Sequence, residues 1–148
     1  MSSRMARELN YVDFEHACIA QALRRAARSV TRRYEATLRP LGLTMGQFTT
    51  LASLARPKPV PLMVLAEQLG MDRTTLTRDL APLERRGLVA STSSPDDGRV
   101  RAIALTSAGR ELLELATPLW RDAQAESVRR LGGADWGAIR EQIDLLSR

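Results

Sequence analysis

The sequence predicts a mainly α-helical fold with one small β-hairpin, on three observations. Apolar residues recur at helical spacing through most of the 148 residues. Two short apolar-faced stretches are joined by only Gly70-Met71, so they must pack on each other at a steep angle. Two runs rich in Val, Ile, Leu, Ser and Thr flank Ser94-Pro95-Asp96-Asp97-Gly98-Arg99, a cluster of turn formers, and read as strands.

In chain order, residues from about Asp13 to Leu38 read as one long helix. Phe14, Cys18, Ala22, Ala26, Val30 and Tyr34 recur every four positions, with arginines mostly off that stripe. Pro40 and Gly42 end it. Thr44 then caps a helix carrying Phe48, Leu51, Ala52, Leu54 and Ala55, which the stretch Arg56-Pro57-Lys58-Pro59 breaks. Pro61 suits the first turn of the next helix, which places Leu62, Leu65, Ala66 and Leu69 on one face. Asp72 caps a further helix with Leu76, Leu80 and Leu83 together, and Gly87 stops it. Leu88 to Ser93 and Val100 to Leu105 form the hairpin. Thr106 or Ser107 opens a long helix bearing Leu112, Ala116, Leu119, Trp120, Ala123 and Leu131, bent at Pro118. Gly132-Gly133 ends it, and a last helix uses Trp136, Ile139, Ile143 and Leu146.

The charge balance is basic, 22 Lys+Arg against 17 Asp+Glu, with Lys58 the only lysine. Such a surface favours polyanions, because neutralised phosphates release counterions. No apolar run approaches the roughly 18 residues of a membrane span, and Met1 to Glu8 lack the apolar segment of a secretory signal. The expected location is the cytoplasm, with no membrane partner. Enzyme chemistry finds no support: His16 and Cys18 are the sole residues of their kinds, and no metal-ligand spacing or Gly-rich phosphate loop occurs. No cofactor and no metal are expected.

The helix opening at Arg73 is the candidate reader of double-stranded DNA. On a wheel of about 100° per residue, Thr74, Arg78, Ala81 and Arg85 oppose the leucines, flanked by Thr75 and Thr77. A major groove admits one helix with such a basic, hydroxylic face. Arg78 can donate a fork of hydrogen bonds to guanine or to phosphate, and the helix N-terminus offers free N–H groups to phosphate. The hairpin tip projects Arg99, with Arg101 two residues on along the same side, toward a minor groove. Asp97 is placed to orient Arg99 by a charge-assisted bond.

These residues resemble the MarR family of bacterial regulators, from about Cys18 to Leu131. Asp97-Gly98-Arg99-Val100-Arg101-Ala102-Ile103-Ala104-Leu105-Thr106 is similar to the family wing, Asp-x-Arg followed at fixed distance by Leu-Thr. Met71-Asp72-Arg73-Thr74-Thr75-Leu76-Thr77-Arg78, running on to Leu83-Glu84-Arg85-Arg86-Gly87-Leu88-Val89, resembles its recognition helix and exit. Leu38-Arg39-Pro40-Leu41-Gly42-Leu43-Thr44 with Gln47-Phe48 resembles its first interhelical turn. The resemblance implies a single domain over residues 1–148: a winged helix-turn-helix over 44–106 and a helical dimerisation region over 10–40 and 107–148. It also implies a dimer that represses by occupying a pseudo-palindromic operator and is relieved by a small ligand or an oxidant.

The apolar stripes exceed what one small winged domain covers. A homodimer interface is therefore expected from Phe14, Ile19, Leu131, Trp136, Ile139, Ile143 and Leu146. Where dimer helices meet the winged part, a cleft lined by Cys18, Ala22, Met45, Phe48, Leu112 and Leu113 would suit a small anionic aromatic effector, with Arg25 and Arg28 as candidate partners for its carboxylate. Two other readings stand beside this one. One is a redox sensor through Cys18, which lies two residues before the position, here Ala20, that carries the cysteine in peroxide-sensing relatives. The other is an architectural protein that binds DNA without sequence preference.

Overall fold

The computed structural model describes residues 17–147. Phe14 and His16 lie outside them. Helix α1 spans Ile19–Leu38. The expected single helix from Asp13 is interrupted: Ala17 is helical, but Cys18 is extended (φ −81°, ψ 108°) and caps α1 without a side-chain bond. A 3-10 turn, Arg39–Leu41, follows, and Gly42 closes it with φ 64°, where a Cβ would be strained.

Helix α2, Met45–Ser53, starts at a reciprocal capping box in which the Gln47 N–H donates to Thr44 Oγ1 and the Thr44 N–H to Gln47 Oε1, both at 3.1 Å. Strand β1 is two residues, Val60–Pro61. Pro61 thus ends an edge strand and serves as N-cap of α3, Leu62–Leu69, rather than sitting in the helix's first turn. Gly70, again left-handed (φ 63°), and Met71 turn the chain into α4, Arg73–Arg85, capped by Asp72. Helix α4 runs through Pro82, which removes the N–H that would bond the Arg78 carbonyl.

Strands β2, Val89–Ser93, and β3, Arg101–Leu105, form the hairpin. The sheet has three strands in the order β1-β3-β2, all antiparallel, where the sequence reading had two. Helix α5, Ser107–Arg129, begins at Thr106 and continues past Pro118. Glycines 132 and 133, both at positive φ, lead to α6, Trp136–Leu145.

The core gathers Leu51, Leu54 and Leu65 with the α4 stripe Leu76, Leu80 and Leu83, and with Ile103 from the sheet, each at most 1% exposed. Full burial of one such side chain stabilises by ~1.5–3 kcal/mol. The expected inward face of α4 is therefore what fixes its outward face. Helix α1 packs against α5 but buries only Tyr34 and Leu38 within the chain. Helix α6 buries none of its residues.

Candidate nucleic-acid interface and effector cleft

Helix α4 presents Arg73, Thr74, Thr77, Arg78 and Arg85 to solvent. The Arg78 side chain is 78% exposed and lies 3.7 Å from the Asp79 carboxylate. An exposed pair of this kind contributes at most ~1 kcal/mol, so a phosphate or base edge can displace it. The threonines differ in what they have free. Thr75 is taken up by the cap: its N–H donates to Asp72 Oδ1 (2.8 Å) and its hydroxyl to Oδ2 (2.9 Å). Those bonds, the backbone one foremost, hold the Asp72 carboxyl below its ordinary range. Thr77 is exposed and donates to the Arg73 carbonyl at 2.8 Å, which leaves its hydroxyl only acceptor lone pairs to offer. Thr74 is exposed, and its hydroxyl has no partner among the described residues.

At the hairpin tip, the Ser94 N–H donates to the Val100 carbonyl at 2.7 Å and the Val100 N–H to the Asp97 carbonyl at 3.0 Å. Asp97 acts on Arg99 differently from the expectation. Its Oδ1 accepts the backbone N–H of Arg99 at 3.0 Å, so it shapes the turn, and the guanidinium has no partner among the described residues. Arg101 is corrected more strongly. Its Nε donates to Ser91 Oγ and its Nη2 to Glu84 Oε1, both at 2.9 Å, which turns it back onto the body of the domain. Glu84 and Ser91 were missed. The available signal was opposite charge on two elements that a hairpin returning to the helix exit brings together.

Arg86 was also missed as a functional position. From the C-cap of α4 it donates to the carbonyls of Gly42 (2.8 Å) and Leu41 (3.2 Å), anchoring the recognition helix to the corner between α1 and α2.

A cleft of about 390 Å³ lies between α1 and the C-terminal half of α5. Ala27, Val30, Thr31 and Tyr34 of α1 form one wall, and Gln124, Ser127 and Val128 of α5 the other. Met45, Leu131 and Trp136 complete it. Of the six expected lining residues only Met45 is there. The bonds from Tyr34 to Gln124 and from Arg33 to Ser127 (3.0 Å) show why: α1 runs antiparallel to α5, so its C-terminal half meets residues 124–128 and not 112–113. Phe48 is buried and stacked on Trp120 (ring centroids 5.9 Å apart, planes at 15°), while Leu112 and Leu113 pack on the core. Ala22 is exposed and Cys18 half-buried, both toward the N-terminal end of α1. Arg25 and Arg28 do not line the cleft; Arg33 reaches its edge through Ser127. Burial pushes the Tyr34 hydroxyl up in pKa, against the opposing effects of Ser127 and Arg33.

Of the expected dimer residues, Ile19 is 62% exposed, Leu146 58%, and Leu131, Trp136 and Ile143 37–39%. Ile139 is half-buried. Leu23, Val30, Leu115 and Leu145 add to this exposed apolar surface on α1, α5 and α6.

The family model for the MarR family matches residues 43–100, which run from Leu43, just ahead of α2, to the wing. An HTH-type transcriptional repressor of Mycobacterium bovis is 30% identical over 132 residues, 89% of this chain and 95% of the relative. The chain belongs to the MarR family of transcriptional regulators. Among solved MarR-like structures, the Mycobacterium tuberculosis regulator MosR in complex with DNA is 41% identical with a TM-score of 0.77, over 87% of this chain and 92% of that one. The repressor CouR bound to a 23-mer DNA duplex is 28% identical with a TM-score of 0.81, over 94% and 99% of the two chains. CouR from Rhodococcus jostii has also been solved with p-coumaroyl-CoA. Among the described residues, no cluster of His, Cys, Asp and Glu could hold a metal ion, and no helix is long and apolar enough to cross a membrane.

Proposed function

We propose that this MarR-family chain is a repressor that grips a pseudo-palindromic operator as a homodimer and lets go when an anionic aromatic ligand fills the α1–α5 cleft. One observation carries the DNA reading. A helix face bearing Arg73, Thr74, Arg78 and Arg85 stands exposed on a scaffold of fully buried leucines, beside a hairpin tip whose Arg99 guanidinium has no partner among the described residues. Helix α4 enters the major groove, where Arg78 and Thr74 face base edges, and Arg99 enters the adjacent minor groove. Arg73 and Arg85 serve phosphates, while the Thr77 hydroxyl, its proton held by the Arg73 carbonyl, can only accept from a base-edge amino group. MosR and CouR, each solved on DNA, support this mode of binding.

The dimer follows from uncovered apolar surface. Helix α6 has no buried residue of its own, so Trp136, Ile143 and Leu146 need a partner surface, and a second copy offers the same set. The cleft volume lies within the ~300–1,000 Å³ of small-molecule sites, and its lining is largely apolar with Tyr34, Gln124 and Ser127 as the polar points. An aromatic body fits such walls, and the Arg33 guanidinium at the Ser127 edge suits a carboxylate. Two relatives are described with aromatic ligands, CouR with p-coumaroyl-CoA, a thioester whose charge lies on its phosphates, and BpsR with 6-hydroxynicotinic acid, an aromatic carboxylic acid.

Fluorescence anisotropy on duplexes selected from a random library tests the reading. At moderate salt a regulator prefers its selected site over a scrambled duplex by about 10³-fold or more. Equal affinity for both makes the chain an architectural DNA-binding protein instead.

A further inference from the structure

Glu84, Ser91 and Arg101 close a ring. The Ser91 hydroxyl donates to Glu84 Oε1 at 2.6 Å, Arg101 Nε donates to Ser91 Oγ at 2.9 Å, and Arg101 Nη2 donates to Glu84 Oε1 at 2.9 Å. Three elements meet there: the next-to-last residue of α4, the middle of β2 and the first residue of β3. Its place in the sheet is specific. Strand β1 pairs only with Ile103 and Ala102, so the outermost pair of the hairpin, Ser93 with Arg101, has no third strand behind it, and only the turn over 94–100 lies beyond. Two strands without a third are marginal in water. The ring therefore grips the hairpin at the point where support from the sheet ends. It also joins the hairpin to the helix that carries Arg78.

We infer that Glu84 and Arg101 are positioning residues for DNA binding, setting the angle at which the wing leaves the recognition helix so that Arg99 and Arg78 reach neighbouring grooves together. The inference rests on the DNA-binding reading above. It makes a prediction opposite in sign to that of charge alone. Glu84 is a carboxylate on the DNA-facing helix, and removing a negative charge beside phosphates should by itself tighten binding. If the carboxylate instead holds Arg101 and Ser91, its loss slackens the wing. Arg101, in turn, uses Nε and Nη2 within the protein and contributes no phosphate contact of its own.

The experiment measures affinity of the full chain for its selected duplex and for a scrambled one, across a salt series. The proteins are wild type, Glu84→Ala, Glu84→Gln, Arg101→Ala, Arg101→Lys and Arg99→Ala, plus the Glu84→Ala, Arg99→Ala double variant. Far-UV circular dichroism checks that each is folded. The expected result is that Glu84→Ala and Arg101→Ala each weaken operator binding about five- to thirtyfold, with a salt slope lowered no further than Arg99→Ala lowers it. Glu84→Gln, which keeps an acceptor oxygen, weakens it less. In the Glu84→Ala background the cost of Arg99→Ala falls by more than half, and hydroxyl-radical protection in the flanking minor groove fades while major-groove protection stays. A merely structural role would leave the Arg99 cost and the footprint pattern alone. Tighter binding by Glu84→Ala, an undiminished Arg99 cost, or a salt slope that falls by about one charge more in Arg101→Ala than in Glu84→Ala overturns the inference. If Arg101→Ala does not fold, Arg101→Lys and the Glu84 variants decide it on the same readouts. A wild type with no preference for any duplex sinks the DNA-binding reading, and this inference with it; a wild type that prefers its site while Glu84→Ala tightens sinks only the inference.

Discussion

Gly109, in the first turn of α5, lies directly against the carbonyl oxygen of Leu88, and a Cβ at this position would collide with that oxygen and crowd the Leu105 side chain. The contact belongs to a small joint. The Thr106 N–H donates to the same Leu88 carbonyl at 3.1 Å. The Thr106 hydroxyl donates to the Gly87 carbonyl at 2.7 Å and accepts the Gly109 N–H at 3.0 Å. The exit of the recognition helix and the start of the long α5 are thus locked at backbone distance. Gly109→Ala should destabilise the protein by about 1–3 kcal/mol through overpacking. At an ordinary helix site the same change stabilises by up to ~1 kcal/mol. Chemical denaturation decides the sign, and a variant more stable than wild type would show that the joint yields.

Arg99→Ala and Arg78→Ala should separate the two kinds of DNA contact. Arg99→Ala leaves the fold intact, since the tip is exposed, while it weakens binding and flattens the dependence of log K on log salt. Arg78→Ala costs roughly 1–3 kcal/mol on the selected site and relaxes preference at one position per half-site. Binding curves on a panel of single-base variants check this. A uniform loss on all sequences would make Arg78 a phosphate contact only.

The exposed faces of α1, α5 and α6 should close on a second copy. The chain should sediment as a dimer at micromolar concentration, and Ile143→Asp with Trp136→Ala should shift it toward monomer while weakening operator binding. A stable interface of this kind buries about 1,200–2,000 Å². A wild type that sediments as monomer at that concentration contradicts the assembly.

Filling the cleft should uncouple the ligand from DNA. Val128→Phe narrows the space beside Tyr34 and Gln124; the variant should hold operator as wild type does yet resist release by 6-hydroxynicotinic acid or a related aromatic acid. In wild type such a compound lowers affinity about 5- to 150-fold. Cys18→Ser should leave that response in place, because Cys18 stands outside the cleft at the mouth of α1. Release of wild type by hydroperoxide, lost in Cys18→Ser, would transfer control to the cysteine.

Much of this architecture is readable from spacing. The stripes Leu76-Leu80-Leu83 and Leu62-Leu65 set the paired helices, and Thr44, Asp72 and Thr106 each cap a helix through their side chains. What escapes is what periodicity does not encode. A two-residue strand such as Val60–Pro61 has no pattern, and no Gly or Pro marks the break at Cys18. Arg101 carries the same side chain whether it faces DNA or folds back, and only the hairpin register sets it near Ser91 and Glu84. The cleft was misplaced because the sequence shows which faces are apolar but not the antiparallel offset of α1 on α5.

The central claim is that two copies of α4 read successive major grooves while two wings reach the minor grooves outside them. A hydroxyl-radical and methylation-interference footprint of the wild-type protein on its selected duplex tests this most directly. The account predicts two major-groove contacts whose centres lie about one helical turn apart, ~34–36 Å or a multiple of it, each flanked outwardly by a protected minor groove that Arg99→Ala exposes. A single protected half-site, uniform protection along the duplex, or minor-groove protection unaffected by Arg99→Ala would contradict it.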